Sequence, residues 1–263
     1  MTELPMIKEG RAQRLREAGI GTIEQLWKAD LAYLAAHPAF EGDGGFLNQL
    51  PLLQGYAEAH AKGSALIYAA DPRLYDLQEP IIHMDLEFDG PATEVFLYGM
   101  LDHASGEITQ WFEHTRRGQE KLIRDFRRLC IDQRPTVVTW GGSTSDLLQL
   151  RRASEKVGLS PKWVGDVDWL DLQTDVIYTA SPETQRVYLP VKAFKSEIVA
   201  SFFGYKKPKL KVRDGYQALR LYRGYKRRPR EQVRADLCTY NAEDIKHLAI
   251  ILDGMRDLMK PHQ

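Results

Sequence analysis

The sequence predicts an α/β fold, a mixed sheet with flanking helices, preceded by a small all-α region. Three observations lead there. Residues 81–112 read as three apolar strands separated by turns, and residues 119–172 alternate helix and strand. The chain before residue 75 and after Pro190 carries mainly helical periodicity.

In chain order, Ile7, Ala12, Leu15 and Ala18 fall near a 3.6-residue period that Gly19-Ile20-Gly21 stops. Thr22 followed by Gln25 reads as a capping box, and Ile23, Leu26 and Trp27 supply the next apolar face. Helix, Gly-hydrophobic-Gly turn and helix is the arrangement of a helix-hairpin-helix unit, whose turn is expected to offer backbone N–H groups to a phosphate. The same turn also ends plain helical hairpins. Residues 41–46, EGDGGF, look like a linker, and 47–62 like a further helix. The proline-bounded stretch 71–80 is the best boundary, which divides the chain into residues 1–75 and 76–263.

Beyond it, residues 81–88, 94–101 and 108–112 form an antiparallel meander, with turns at Asp89-Gly90-Pro91 and Ser105-Gly106. A helix over 119–131, a strand over 136–140, a helix over 145–157 and a strand over 167–172 follow. A long amphipathic helix over 229–259 closes the chain. This is the order of elements in a ribonuclease H-like mixed sheet.

The 263 residues are 43% hydrophobic and 27% charged, an ordinary globular composition with no apolar run that approaches a membrane span. The amino terminus MTELPMIKEG has neither a basic nor an apolar segment of the secretory kind, so a cytoplasmic location is expected. Cys130 and Cys238 lack metal-ligand spacing and read as ordinary thiols. Lys plus Arg balance Asp plus Glu at 36 each, but unevenly. Residues 1–80 hold 7 basic and 11 acidic side chains, whereas 191–234 hold 14 basic and 3 acidic. Such a concentration suits an anionic partner, or else a solvated helical face.

Asp85 and Glu87 lie one residue apart on the first long strand and therefore leave the same face of the sheet. Their apolar neighbours Ile81, Ile82, Leu86 and Phe88 place that strand inside the sheet, where two uncompensated acids are costly. A hard divalent cation is the simplest compensation. Asp146 opens a helix just after the strand ending in VVTW, a position that capping alone also favours. Tyr240 and Asp244 are one helical turn apart and share a face, with Leu237, Ile245 and Leu248 on the neighbouring face.

D-x-E, then D, then Y-x-x-x-D resembles the DEDD (DnaQ-like) superfamily of 3′–5′ exonucleases, in its tyrosine-containing branch. The Y-N-x-x-D form at 240–244, AFKSEIVASFFGY at 193–205, DGYQA at 214–218 and LYRGY at 221–225 are similar to the YprB-like, ribonuclease H-like subgroup. The helices before residue 75 also resemble the region that precedes this domain in related nucleases. The resemblance implies a metal-dependent exonuclease that hydrolyses phosphodiester bonds of single-stranded DNA or RNA with two Mg²⁺ or Mn²⁺ ions. By that resemblance Asp85 bridges the ions, Glu87 and Asp244 complete one site, Asp146 holds the other partly through water, and Tyr240 orients the attacking water. One departure is Ser145, where the family often has an aromatic residue.

Lys206, Lys207, Lys209, Lys211 and Arg213, then Arg223, Lys226, Arg227 and Arg228, interleave with Tyr205, Tyr216, Tyr222 and Tyr225. Cations for the backbone and rings for the bases suit a single strand; a solvated helix–loop with core tyrosines is the other reading. His83 reads as packing. Asp166 and Asp168 share a strand face opposite Asp171, so most of the 166–175 acids read as surface or capping groups, with Asp171 the one of interest. Two functions remain in contention, a nuclease and a non-catalytic nucleic-acid-binding module that keeps the fold. All five of Asp85, Glu87, Asp146, Tyr240 and Asp244 being present favours the nuclease.

Overall fold

The computed structural model describes residues 1–90, 94–143, 145–179 and 181–260. Helix α1 (Glu9–Glu17) ends before Gly19, whose φ of 81° lies in the left-handed region that favours glycine. Helix α2 (Ile23–Trp27) starts at the capping box, with Thr22 Oγ1 accepting from the Gln25 N–H at 3.1 Å. After α3 (Leu31–Ala36) the expected linker at 41–46 is instead part of the fold. Asp43 accepts from the Phe46 N–H at 3.1 Å and starts the short α4 (Gly44–Leu47). Phe46 is fully buried, its ring 5.2 Å from that of Phe40. Burial of that ring supplies the reason a glycine-rich stretch folds here.

Helix α5 (Leu50–Lys62) leads to β1 (Leu66–Ile67), which pairs antiparallel with β7 (Val187–Tyr188). Gly55 lets α5 rest directly on Tyr188, since a Cβ there would lie 2.3 Å from the ring. The Tyr56 hydroxyl donates to the Ile177 carbonyl at 2.8 Å. The helical region is thus tied to the rest of the chain through residues 55–67 and 177–188.

The main sheet contains β2 (Ile81–Asp89), β3 (Glu94–Asp102), β4 (Ile108–Phe112), β5 (Thr136–Thr139) and β6 (Asp168–Asp171), in the order β4-β3-β2-β5-β6. The first three strands are antiparallel, whereas β5 and β6 run parallel to β2 and to each other. β2 is therefore central, as its apolar composition predicts. The turn at 89–91 includes Pro91, which lies outside the described residues.

Ile82, Met84 and Leu86 pack with Leu122, Ile123 and Phe126 of α6 (Arg116–Gln133) and Leu150 and Ala153 of α7 (Asp146–Lys156). The alternate residues of β2 face the other layer, α10 (Glu231–Met259), which crosses β2, β3 and β4. Between them, β6 passes into a π-helical turn (Leu172–Ile177), and α8 (Ser196–Phe202) and α9 (Gly215–Arg227) precede α10. This is a ribonuclease H-like fold. Among the described residues no helix is long and apolar enough to cross a membrane.

Candidate functional site

Strand alternation and helix docking bring the predicted acids together. Asp85, Glu87 and Asp244 each present a carboxylate oxygen within 4.8 Å of the others, two from the central strand and one from α10. Glu87 is 8% exposed, and Asp85 and Asp244 are half-buried. Tyr240, one turn before Asp244, is buried between Leu237, Phe112 and the sheet, and its phenol bonds to the Asp244 carboxylate.

Asp146 stands outside that trio, but its charge reaches Asp85 and Glu87. Its position follows from the turn after β5. Asp171, paired with Thr139 across the parallel strands, accepts from the Gly141 N–H at 2.7 Å and from Ser143 N–H and Oγ at 3.1 and 2.7 Å. Those bonds fold residues 141–143 back and aim the start of α7 at the sheet. Thr144, within the Gly-Gly-Ser-Thr-Ser turn read from the sequence, lies outside the described residues. Ser145, the departure from the resembled pattern, sets its Oγ 3.1 Å from Gly141 O and 3.2 Å from Asp146 Oδ1, where its one proton can be donated to either.

Burial, then the charges of Glu87, Asp244 and Asp146, holds the Asp85 carboxyl well above the usual carboxylate range, opposed by the Asn241 N–H. Glu87 is raised by burial and then by Asp244 and Asp146. Burial pushes Asp146 up to about 7, opposed by Ser145. It pushes Asp244 up to about 6, opposed by the Tyr240 hydroxyl and by Lys207. The adjacent His247, 3.5 Å from Asp244, is pushed down to about 4 by its own burial and is neutral at neutral pH. Among the described residues no Lys or Arg forms an ion pair with any of the four acids. Clustered carboxylates with no Lys or Arg ion-paired to them among the described residues, and with oxygen as the donor atom throughout, fit a hard divalent cation; zinc prefers His or Cys.

The basic stretch divides in two. Lys207 pairs with Glu197, Lys211 with Asp236 at 3.2 Å, Arg223 bidentately with Asp89 at 2.8 Å, and Lys226 with Glu94 at 2.6 Å. Lys206, Lys209, Arg213, Arg227 and Arg228 are exposed and make no ion pair among the described residues. The expected row of stacking tyrosines is corrected by the packing. Tyr222 is fully buried and stacked on Phe96 at 3.7 Å, Tyr225 is buried against Phe112, and the Tyr205 hydroxyl bonds Glu243. Of the four, Tyr216 is the exposed ring, at 79%.

At the amino-terminal turn the hydrogen bonds favour the plain helical hairpin of the two readings. The Gly21 and Thr22 N–H groups donate to Gln25 Oε1 at 2.7 and 3.1 Å, so the donors expected to await a phosphate are already taken. His83 is packing, as read, with its Nε2 3.0 Å from His103 Nδ1. Asp168 accepts from Thr136 Oγ1 at 2.6 Å, and Asp175 caps the Asp171 N–H at 3.0 Å. Gln110 and Gly99 carry no motif, and Asn241 enters the sequence reading only as the second residue of the Y-N-x-x-D form, with no role attached; a glycine inside an apolar strand does signal a close approach. Asn241 Nδ2 donates to Asp85 Oδ2 at 2.7 Å.

A central-strand D-x-E facing a helix-borne Asp across an α/β sheet defines an acidic centre able to bind a divalent cation. The sequence profile of the RNase_H superfamily matches residues 82–256, and the chain belongs to that superfamily. No curated protein matches the sequence. The solved family B DNA polymerase from the hyperthermophilic archaeon Pyrobaculum calidifontis is similar at a TM-score of 0.49 and 16% identity. The match covers 69% of this chain and 24% of the polymerase chain.

Proposed function

We propose that the chain is a divalent-metal-dependent 3′–5′ exonuclease of the tyrosine-containing DEDD type, acting on single-stranded DNA or RNA, with 76–263 as the nuclease domain and 1–75 as a helical extension. The reading rests above all on three carboxylates gathered within 4.8 Å, with no Lys or Arg ion-paired to them among the described residues. Asp85, Glu87 and Asp244, with Asp146, would hold two Mg²⁺ or Mn²⁺ ions. Such a pair, when bound, stabilises the charge that develops on the attacking and leaving oxygens of a phosphodiester.

The remaining work belongs to the chain. Burial and the adjacent carboxylates raise the Tyr240 pKa, so the phenol stays protonated at neutral pH and orients a water by its hydroxyl. Lys206, Lys209, Arg213, Arg227 and Arg228 hold the backbone of the strand, and Tyr216 offers a face for a base. Incubation of the purified chain with a 5′-labelled single strand and Mn²⁺ should give a ladder shortening one nucleotide at a time from the 3′ end. Blocking the 3′ hydroxyl should stop it. Intact substrate, with the strand nevertheless bound, would overturn the nuclease reading.

A further inference from the structure

Asp85, Gly99 and Gln110 stand opposite one another in three adjacent strands, because Asp85 pairs with Gly99 and Gly99 with Gln110. The middle position has no side chain, and Asn241 of α10 fills the notch. A Cβ on Gly99 would lie 1.9 Å from Asn241 Oδ1 and 2.2 Å from Ile245 Cδ1. Asn241 is fully buried there. Its Nδ2 donates to Asp85 Oδ2 at 2.7 Å and to the Asp85 carbonyl at 3.2 Å. Its Oδ1 accepts from Gln110 Nε2 at 2.8 Å, and the same Nε2 donates to the Cys238 carbonyl at 2.8 Å.

The direction of this chain is forced. A backbone carbonyl only accepts, so Gln110 must turn its amino group toward Cys238 and therefore toward Asn241. Asn241 must then face Gln110 with its oxygen, which leaves its amino group for Asp85. We infer that Gln110 and Asn241, seated by the Gly99 notch, form a directional hydrogen-bond relay that fixes the orientation of the Asp85 carboxylate, and that both are positioning residues for the metal centre. The inference rests on the proposed function. Glu87 and Asp244 repel Asp85, and a carboxylate under that pressure turns away unless something ties it down. Asn241 ties one oxygen and the backbone of the same residue together. Partners that orient a metal-binding carboxylate in this way are worth about 10–100-fold in metal affinity or activity.

The test is Mn²⁺ binding to the full chain by isothermal titration calorimetry, with the melting temperature measured beside it. Asn241→Leu keeps the branched outline of the side chain and removes both the donor and the acceptor. It should weaken Mn²⁺ binding about 10–100-fold, and Gln110→Leu, which touches no acid of the site, should weaken it by less in the same direction. Asp85→Asn serves as the reference. If Asp85→Asn abolishes Mn²⁺ binding while folded Asn241→Leu binds as the wild type does, the relay is overturned and the metal centre stands. If Asp85→Asn also binds normally, the metal centre and the relay fall together. A lower melting temperature with unchanged affinity would make Asn241 a core residue only, against the inference. Should Asn241→Leu not fold, Gln110→Leu decides alone: weaker binding in a normally melting protein supports the relay, and unchanged binding overturns it.

Discussion

Asp146→Asn should make the metal-free protein more stable, and the gain should depend on pH in a defined sense. Burial is the principal force that raises Asp146 from an ordinary 3.8 to about 7. At about 1.4 kcal/mol for each pH unit, the ionised carboxylate costs the fold about 4 kcal/mol. The asparagine amide must itself be desolvated at this buried position, which offsets part of the gain and leaves about 1–3 kcal/mol, or about 3–9 °C for a chain of this length. Below about pH 4 the group is protonated in both folded and unfolded chains and the penalty is absent. Between about pH 4 and 7 the folded chain holds the proton more tightly, so wild-type stability falls as pH rises, and it levels off above. Asparagine removes the titration while its amide oxygen still accepts from Ser145. Thermal melts of both proteins in chelator at pH 5, 6, 7 and 8 read the effect. The curves should converge at the acid end and separate progressively toward pH 8, with the variant higher. Parallel curves, or a variant that melts lower at pH 8, would refute the assignment of Asp146 to a buried, repelled carboxylate.

Tyr240→Phe should slow hydrolysis by on the order of 10²–10⁴-fold with Mn²⁺ affinity intact, because only the hydroxyl is removed; wild-type turnover would reduce the ring to packing. Reversing the charges of Lys209, Arg213, Arg227 and Arg228 should flatten the salt dependence of strand binding by about 0.7 for each phosphate no longer neutralised. Reversing Lys207 and Lys211, whose charges already meet Glu197 and Asp236, should flatten it less, and equal slopes would show that the first four cations face away from the strand. Gly99→Ala should lower both melting temperature and Mn²⁺ affinity, since its Cβ would meet Asn241 Oδ1 at 1.9 Å; an alanine protein with normal affinity would mean the notch yields freely.

The acids are legible in the sequence because their geometry is set locally. Asp85 and Glu87 share a face through strand alternation, and Tyr240 and Asp244 through one helical turn, so order and spacing suffice. Tertiary partners are not legible. Which cations of the 206–228 stretch are already paired depends on Asp89, Glu94, Glu197 and Asp236. Asp89 lies 134 residues before its partner Arg223, and no local pattern reports such a pairing. Likewise Tyr222 and Tyr225 look like stacking platforms beside Lys and Arg until β3 and β4 bring Phe96 and Phe112 beneath them. The Gly-Ile-Gly turn leaves two readings open in the sequence, and what separates them is local. The Gln25 side chain of the capping box itself consumes the Gly21 and Thr22 donors. Asp171 stands out by its face on β6, but its work, folding the 141–143 turn that presents Asp146, depends on the parallel pairing of β5 with β6.

The central claim is that the four acids are a cation site, and anomalous X-ray scattering from crystals of the full chain soaked in Mn²⁺ tests it most directly. The account predicts a strong manganese peak bounded by Asp85, Glu87 and Asp244, with a second beside Asp146, and disappearance of the first in Asp85→Asn. Manganese absent from this cluster while bound elsewhere, or a peak that survives Asp85→Asn undiminished, would contradict it.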